Sequence, residues 1–304
     1  MEEKKIDSYE GLSSERKKTS IGGQALLEGI LMRGPEFESI AVRKANGEIE
    51  LKVDPVEKRK FNNIPILRGI VNLFDSFKKG SKALEYSASF DDEYEEESTN
   101  KVKDFLFISL VVVLVIGIFF ILPTFLVSIL RPYFRFNFLL NLFEGLIRIV
   151  IFLIYVLAIS KDEDIKRVFM YHGAEHKTIN TYEAGEDLTV ENVRKHSRLH
   201  PRCGTSFMFN LIIIGAIIFS ILDFKSPIIK VIVRILFIPL LVGITYELNK
   251  WMGRSDSKIS NIMSKAGMFL QRIATVREPD DSMIEVAIVA MKSVIPEDES
   301  LDIW

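Results

Sequence analysis

Two uncharged apolar runs constrain this chain more than anything else in it: residues 105–130, 26 positions, and residues 203–222, 20 positions. A hydrocarbon core about 30 Å thick needs roughly 20 apolar residues in a helix rising about 1.5 Å per residue, so each run is long enough to cross it. The charged residues, 26% of the chain, are crowded elsewhere, with six acids in the seven positions 91–97. This segregation excludes a soluble globule and a disordered chain, and the reading is an integral membrane protein. The polar stretch 1–103 precedes the first run, which is therefore not read as a cleaved secretory signal. With 39 basic against 41 acidic residues there is no overall field to draw in a polyanion, so nucleic acid is not an expected partner. Cys203 is the only cysteine, which leaves no intrachain disulfide to staple an exported domain.

Hydropathy places four spans at about 105–130, 138–160, 206–222 and 227–246. An even number puts both ends on one side, together with the connection 161–202. That connection carries eight Lys or Arg residues, against Arg131 and Arg135 in one of the other connections and Lys225 in the other. Positive charge marks the cytoplasmic side, so the termini and the 161–202 loop are expected there, with the lipid bilayer as the certain partner.

The fold class expected is mainly α, a polytopic membrane protein with four transmembrane helices, a small N-terminal α+β module and cytoplasmic amphipathic helices. The units are a flexible N-terminus (1–19), the N-terminal module (20–90), an acidic linker (91–104), spans one and two (105–160), a histidine loop (161–205), spans three and four (206–247) and C-terminal helices (248–304). Within the module, residues 40–44 and 48–53 flank Asn46-Gly47, which predicts a β-hairpin. The recurrence of Ile66, Leu67, Ile70, Val71, Phe74 and Phe77 predicts an amphipathic helix over 65–87, packed on the hairpin or lying on the inner leaflet. The C-terminal part predicts two more helices, about 259–273 and 281–294. Gly22, Gly23, Gly29 and Gly34 match no phosphate-binding pattern and are read as permitting a tight turn and close packing. Inside the spans, Glu144 and Arg148 stand one turn apart, as do Lys230 and Arg234. A Glu144 contact to Arg234 or Arg148 is expected, with Lys230 snorkelling outward and Pro123 kinking the first span.

The chemistry points to the histidine loop. All four histidines, His172, His176, His196 and His200, fall within 29 residues, and Cys203 lies three residues beyond. His172-Gly173-Ala174-Glu175-His176 is an H-x-x-E-H box, and His196 to His200 repeats the spacing without the Glu. On a helix, residues four apart share a face with Cβ atoms roughly 5–6 Å apart, so two imidazoles can share one ion at about 2.0–2.1 Å per bond if it is zinc. Such an ion makes hydroxide available near pH 7, and Glu175 stands where a general base takes up the proton. His200 is the first choice for a third ligand, with Glu183 and Cys203 behind it; a Cys203 thiolate favours a structural site, because closed structural zinc sites commonly use sulfur. A helix over about 190–199, capped by Asp187 or Thr189, folded onto the first box would bring all four histidines to one spot. Imidazole suits iron too, and Glu175, Glu183 and Glu186 offer the carboxylates of a di-iron centre such as membrane desaturases and hydroxylases use, though those use about twice as many histidines. Glu28 and Arg33 are further polar candidates for reaching this loop.

The segments from Gly22 through Pro35, His172 through Thr178, Tyr182 through Glu186, His196 through Thr205, Arg277 through Asp281 and Ile284 through Ala287 together resemble the bacterial membrane-protein family called domain of unknown function 1385, over about residues 20–295. The resemblance implies a bacterial cytoplasmic-membrane protein, and the family is uncharacterised although sometimes described as a metal-dependent enzyme. The combined expectation is metal-assisted hydrolysis with His172, His176 and His200 as ligands, zinc as the ion and Glu175 as the base, on a lipid head group or a peptide. The rivals are a membrane di-iron oxidoreductase and a non-enzymatic assembly or sensing protein with a structural metal site.

Overall fold

The computed structural model describes residues 18–57, 63–90, 101–133, 136–222, 224, 226–255, 257–302 and 304. The flexible N-terminus expected at 1–19 lies outside the described residues except for Lys18 and Thr19, as does the acidic linker up to residue 100.

Strands β1 (Gly22–Leu26), β2 (Gly29–Arg33), β3 (Phe37–Arg43) and β4 (Ile49–Pro55) form an antiparallel meander in the order β1-β2-β3-β4. The expected hairpin is β3–β4. Gly47 takes φ 86° in its turn, Lys44 N–H donates to the Glu48 carbonyl (2.9 Å) and Asn46 Oδ1 accepts from Glu48 N–H (3.0 Å). The glycine-rich segment is more than a turn: it is a second hairpin, with Gly22 opposite Arg33 and Leu26 opposite Gly29. Glycine inside a strand argues against strand formation, because it adds no side chain to pack and carries extra chain entropy. Here it is required by close approach. A Cβ on Gly29 would stand 2.5 Å from the Ala41 carbonyl oxygen, and one on Gly23 2.6 Å from that of Leu31.

Helix α1 (Leu67–Ala88) is the amphipathic helix expected from the periodicity. It straps the sheet to a span instead of choosing between hairpin and leaflet. Glu247 of the fourth span accepts from Ile66 N–H (3.2 Å) and Arg68 Nε (2.7 Å), and further along α1, Asp75 pairs with Arg33 (3.1 Å) and Lys79 with Glu38 (2.6 Å).

Among the described residues, four helices are long and apolar enough to cross a membrane. The first is continuous from α2 (Lys101–Ile116) through a π-helical turn, Gly117–Ile121, into α3 (Leu122–Leu130). Pro123 has no N–H to return to the preceding turn, and Arg148 Nε donates to the Phe119 carbonyl instead (3.0 Å). The second span is α4 (Asn137–Ile159), which leads into the histidine helix α5 (Glu163–Glu183) and the short α6 (Val190–Lys195). The third is α7 (Gly204–Ile221) and the fourth α8 (Pro227–Arg254). Spans two and three meet where Gly145 lies against Ala216; a Cβ there would be 2.4 Å from the alanine methyl, the close approach that small residues permit.

Glu144 takes the expected contacts, but Lys230 does not snorkel. It is only 8% exposed and turns inward onto Glu144 (2.6 Å) and Asn141 Oδ1 (2.7 Å), because a buried carboxylate at its own depth is a nearer partner than the head groups. After the fourth span, α9 (Lys258–Leu270) packs back along the start of α7 and widens into a π-helical turn, Gln271–Thr275. Asp280 then caps α10 (Asp281–Lys292), its Oδ1 accepting from Met283 N–H (3.0 Å). The apolar face of α10, with Met283, Ile284, Ala287 and Met291, closes one core with Ile30, Met32 and Ala41 of the sheet and with Tyr171, Ala174 and Ile179 of α5. That core holds the histidine helix rigidly.

The second histidine box is not helical. Helix α6 starts as expected at Thr189, whose Oγ1 accepts from Asn192 N–H (3.3 Å), but it ends at Lys195, with His196 already extended at φ −83°, ψ 159°. Pro201 disfavours helical backbone at His200, and Ser197 takes a local bond from Leu199 N–H (3.0 Å) that competes with helix.

Candidate metal centre

Helix α5 projects His172 and His176 from one face, one turn apart, with ring centres 4.3 Å apart. Each imidazole is pinned by its Nδ1. His172 Nδ1 bonds the Thr275 carbonyl (2.9 Å) and His176 Nδ1 the Arg198 carbonyl (2.7 Å). A carbonyl only accepts, so both Nδ1 atoms carry the proton, and Nε2 is the atom each ring presents for coordination. The π-helical turn is what delivers the Thr275 carbonyl. Such turns shift the backbone register by one residue and recur at functional sites.

Cys203 is the N-cap of α7, its sulfur accepting from Thr205 N–H (3.3 Å), and it lies 3.1 Å from His172 Nε2. The ligand atoms of His172, His176 and Cys203 all lie within 4.8 Å of one another. Burial pushes the Cys203 thiol up, but His172 and His176 beside it more than reverse this and hold it well below the usual thiol range. Burial pulls the His172 imidazole down, yet the Cys203 thiolate and Glu175 outweigh it, raising His172 to about 9. These opposite shifts describe a thiolate–imidazolium pair; with the Nε2 proton lost, the same sulfur and nitrogen make a donor set that suits a soft or borderline divalent ion.

Glu175 is 4% exposed. Its Oε1 accepts from Gly23 N–H (3.0 Å), and its Oε2 has no hydrogen-bond partner among the described residues. Burial raises its pKa, an effect that His172 and His176 only partly oppose. Gly23 is glycine for a reason visible here as well as in the sheet: a Cβ would stand 3.0 Å from the Glu175 carboxyl carbon.

The other candidates are arranged around this group. His200 has its ring centre 5.6 Å from that of His176, and its Nε2 lies 3.5 Å from Glu183 Oε2. Burial pushes the Glu183 carboxyl up, but His200, then Arg202 and the Thr19 N–H (2.8 Å), outweigh it and hold it below the usual carboxylate range. Gln271, fully buried, accepts from His200 N–H (3.0 Å) and donates to its carbonyl (2.8 Å), so His200 is held by its backbone. His196 stands apart, 3.3 Å from Glu186. The four histidines therefore do not converge on one point, and Cys203 takes the place beside the His172–His176 pair that the spacing suggested for His200.

A cavity of about 650 Å³ is lined by His172, Glu175, His176, His200 and Cys203, with Arg33, Lys79, Arg202 and Trp304 also on its wall. Arg33, a candidate for reaching the histidine loop, lies on this wall while paired with Asp75 of α1. Glu28 reaches the histidine loop, pairing with Arg167 (2.5 Å) and Tyr171 (3.2 Å) on α5, but is not on the cavity wall. Sequence reasoning missed Gln271, Thr275 and Trp304. Thr275 and Arg198 act through backbone carbonyls, which leave no mark in the letters; Gln271 offered one weak signal, a polar residue directly after the apolar run of α9.

Residues 64–297 match the family described as Protein of unknown function (DUF1385). A relative from Bacillus subtilis (strain 168), described as Uncharacterized protein YqhQ, is 33% identical over 302 residues, covering 93% of this chain and 95% of its own length. No solved structure matches. Spans, histidine helix and the segments that flank it all fall within these matches, and the chain belongs to the DUF1385 family.

Proposed function

We propose that this protein is a membrane hydrolase with one divalent metal ion, zinc, held by His172 Nε2, His176 Nε2 and Cys203 Sγ, and with Glu175 as general base. The observation that carries the reading is the convergence of those three donor atoms within 4.8 Å beside a buried carboxylate that has one oxygen to spare. When bound, such an ion supplies water ionised near pH 7, against about 15.7 in bulk. The chain's own groups do the rest. The Thr275 and Arg198 carbonyls aim the two Nε2 atoms, the start of α7 helps keep Cys203 a thiolate, and Gly23 N–H fixes one oxygen of Glu175 so that the other takes up the proton.

Among the described residues three donors converge, where a closed structural site would use four, and this supports an enzyme over a scaffold. A di-iron centre is less well supported, since Glu183 is engaged by Arg202 and Thr19 and Glu186 by His196. Cys203 directly precedes the third span, which supports a centre near the level where the chain enters the bilayer and an amphiphilic substrate, a lipid head group or a membrane-proximal peptide. The eight basic residues of the histidine loop support the cytoplasmic side of the bacterial cytoplasmic membrane.

Elemental analysis of detergent-purified protein tests the site. The expected result is about one zinc per chain, largely lost in His172→Ala and in His176→Ala. Unchanged metal content in both variants would refute the ligand assignment, and two irons per chain would favour the di-iron alternative.

A second reading rests on one distance, the 3.1 Å between His172 Nε2 and Cys203 Sγ, which also suits a thiol hydrolase with Cys203 as nucleophile and His172 as its base. Turnover that survives a chelator and is abolished by iodoacetamide would favour this second reading; chelator-sensitive turnover restored by zinc favours the first.

A further inference from the structure

The far end of the membrane-spanning bundle holds a second cluster of charge, remote from the histidines in sequence and on the opposite side of the spans. Glu144 is the eighth residue of α4 and Arg234 the eighth of α8, so at about 1.5 Å per residue both sit about 10 Å from the helix ends that face away from the histidine loop. Glu144 is fully buried. Its Oε1 accepts from Thr124 Oγ1 (2.7 Å), Arg148 Nη2 (2.8 Å) and Arg234 Nη1, and its Oε2 accepts from Lys230 Nζ (2.6 Å).

The charges do not cancel. Three cations, Arg148, Lys230 and Arg234, surround one carboxylate, and among the described residues no second acid pairs with them. Lysine can shed its proton in a dry setting, but arginine cannot, so the cluster keeps a net charge of at least one positive whatever Lys230 does. Nor can Glu144 absorb more, because its oxygens already accept four donors. Arg234 is 2% exposed, and its Nη2 is buried with no hydrogen-bond partner among the described residues. An unsatisfied guanidinium donor beside an uncompensated charge is costly in a protein interior and costlier in a bilayer.

We propose that this cluster is an anion site that binds a phosphate group, with Arg234 Nη2 as the buried donor and Arg148 and Lys230 as the flanking cations. The planar fork of arginine matches phosphate oxygens. Arg148 and Lys230 each keep about a tenth of their side-chain surface exposed, which gives an anion a way in. The phosphate comes either from the head group of an anionic lipid or from free phosphate, and the site stands independently of the metal centre.

The test is native mass spectrometry of the full chain from mild detergent, titrated with phosphatidylglycerol, with phosphatidylcholine and with inorganic phosphate alone. The expected result is saturable binding of about one phosphatidylglycerol per chain in preference to phosphatidylcholine, weakened about tenfold or more in Arg234→Gln, the loss expected for a hydrogen bond to a charged group. Arg148→Gln, on a less buried side chain, changes binding in the same direction and serves if Arg234→Gln does not fold. Glu144→Gln, which adds one net positive charge, tightens binding. Preference for inorganic phosphate assigns the same site to the free anion. No saturable binding of either probe by the wild type, or equal binding by wild type and both arginine variants, would overturn the proposal.

Discussion

Glu175→Gln is expected to lower turnover about a hundredfold or more while leaving the metal content at the wild-type level. Glutamine has the size and shape of glutamate and still accepts from Gly23 N–H, now 3.0 Å from Glu175 Oε1, so the helix and the two imidazoles should stay in place. What it lacks is basicity. The free Oε2 becomes an amide that cannot take up a proton, and the loss falls on the chemical step. Hydrolysis of chromogenic ester, amide and phosphodiester probes, with metal content measured on the same preparations, checks both halves of the statement. Equal turnover by the variant would remove Glu175 from the mechanism; loss of metal would make it a ligand instead.

Gly173→Ala should destabilise the protein by about 3 kcal/mol or more, the cost of overpacking where neither side can yield. A Cβ at this position would stand 2.0 Å from the Arg277 carbonyl oxygen. That carbonyl cannot retreat easily, because Arg277 N–H is bonded to the Phe169 carbonyl (2.9 Å) one turn earlier on the same helix. Separating the two segments would also draw the Thr275 carbonyl away from His172, so metal affinity should fall together with stability. A fall in melting temperature on the order of 10 °C in detergent is the expected reading. A variant that melts within about 2 °C of the wild type would show that the loop yields freely, contrary to the packing described.

Glu175 was legible in the sequence, whereas the carbonyl oxygens that Gly23 and Gly173 face were not. The spans, the β3–β4 hairpin and helix α1 follow from local patterns: uncharged runs, Asn-Gly between alternating residues, and a period near 3.6. The first hairpin was missed although its glycines were read as permitting a tight turn and close packing, because only the neighbouring strands show that Gly23 and Gly29 face carbonyl oxygens. His172, Glu175 and His176 were legible because one helix carries all three. Cys203 stood last among the candidates for the third ligand, since sequence spacing cannot say that a span begins beside the histidine helix. The same limit applied to the second histidine box, where equal spacing in the letters did not survive Pro201 and an early helix end. Lys230 was placed wrongly for a related reason. Snorkelling is a property of one side chain, whereas its inward turn depends on Glu144 and Asn141 from another span.

Cobalt spectroscopy tests whether His172, His176 and Cys203 converge on one cation. Metal-stripped protein reconstituted with Co²⁺ should show the visible bands of a tetrahedral ion and a near-ultraviolet sulfur-to-cobalt charge-transfer band. Cys203→Ser should abolish the charge-transfer band while the two histidines continue to bind cobalt weakly. Cobalt bound by the wild type without that band, or a band that persists unchanged in Cys203→Ser, would contradict the account.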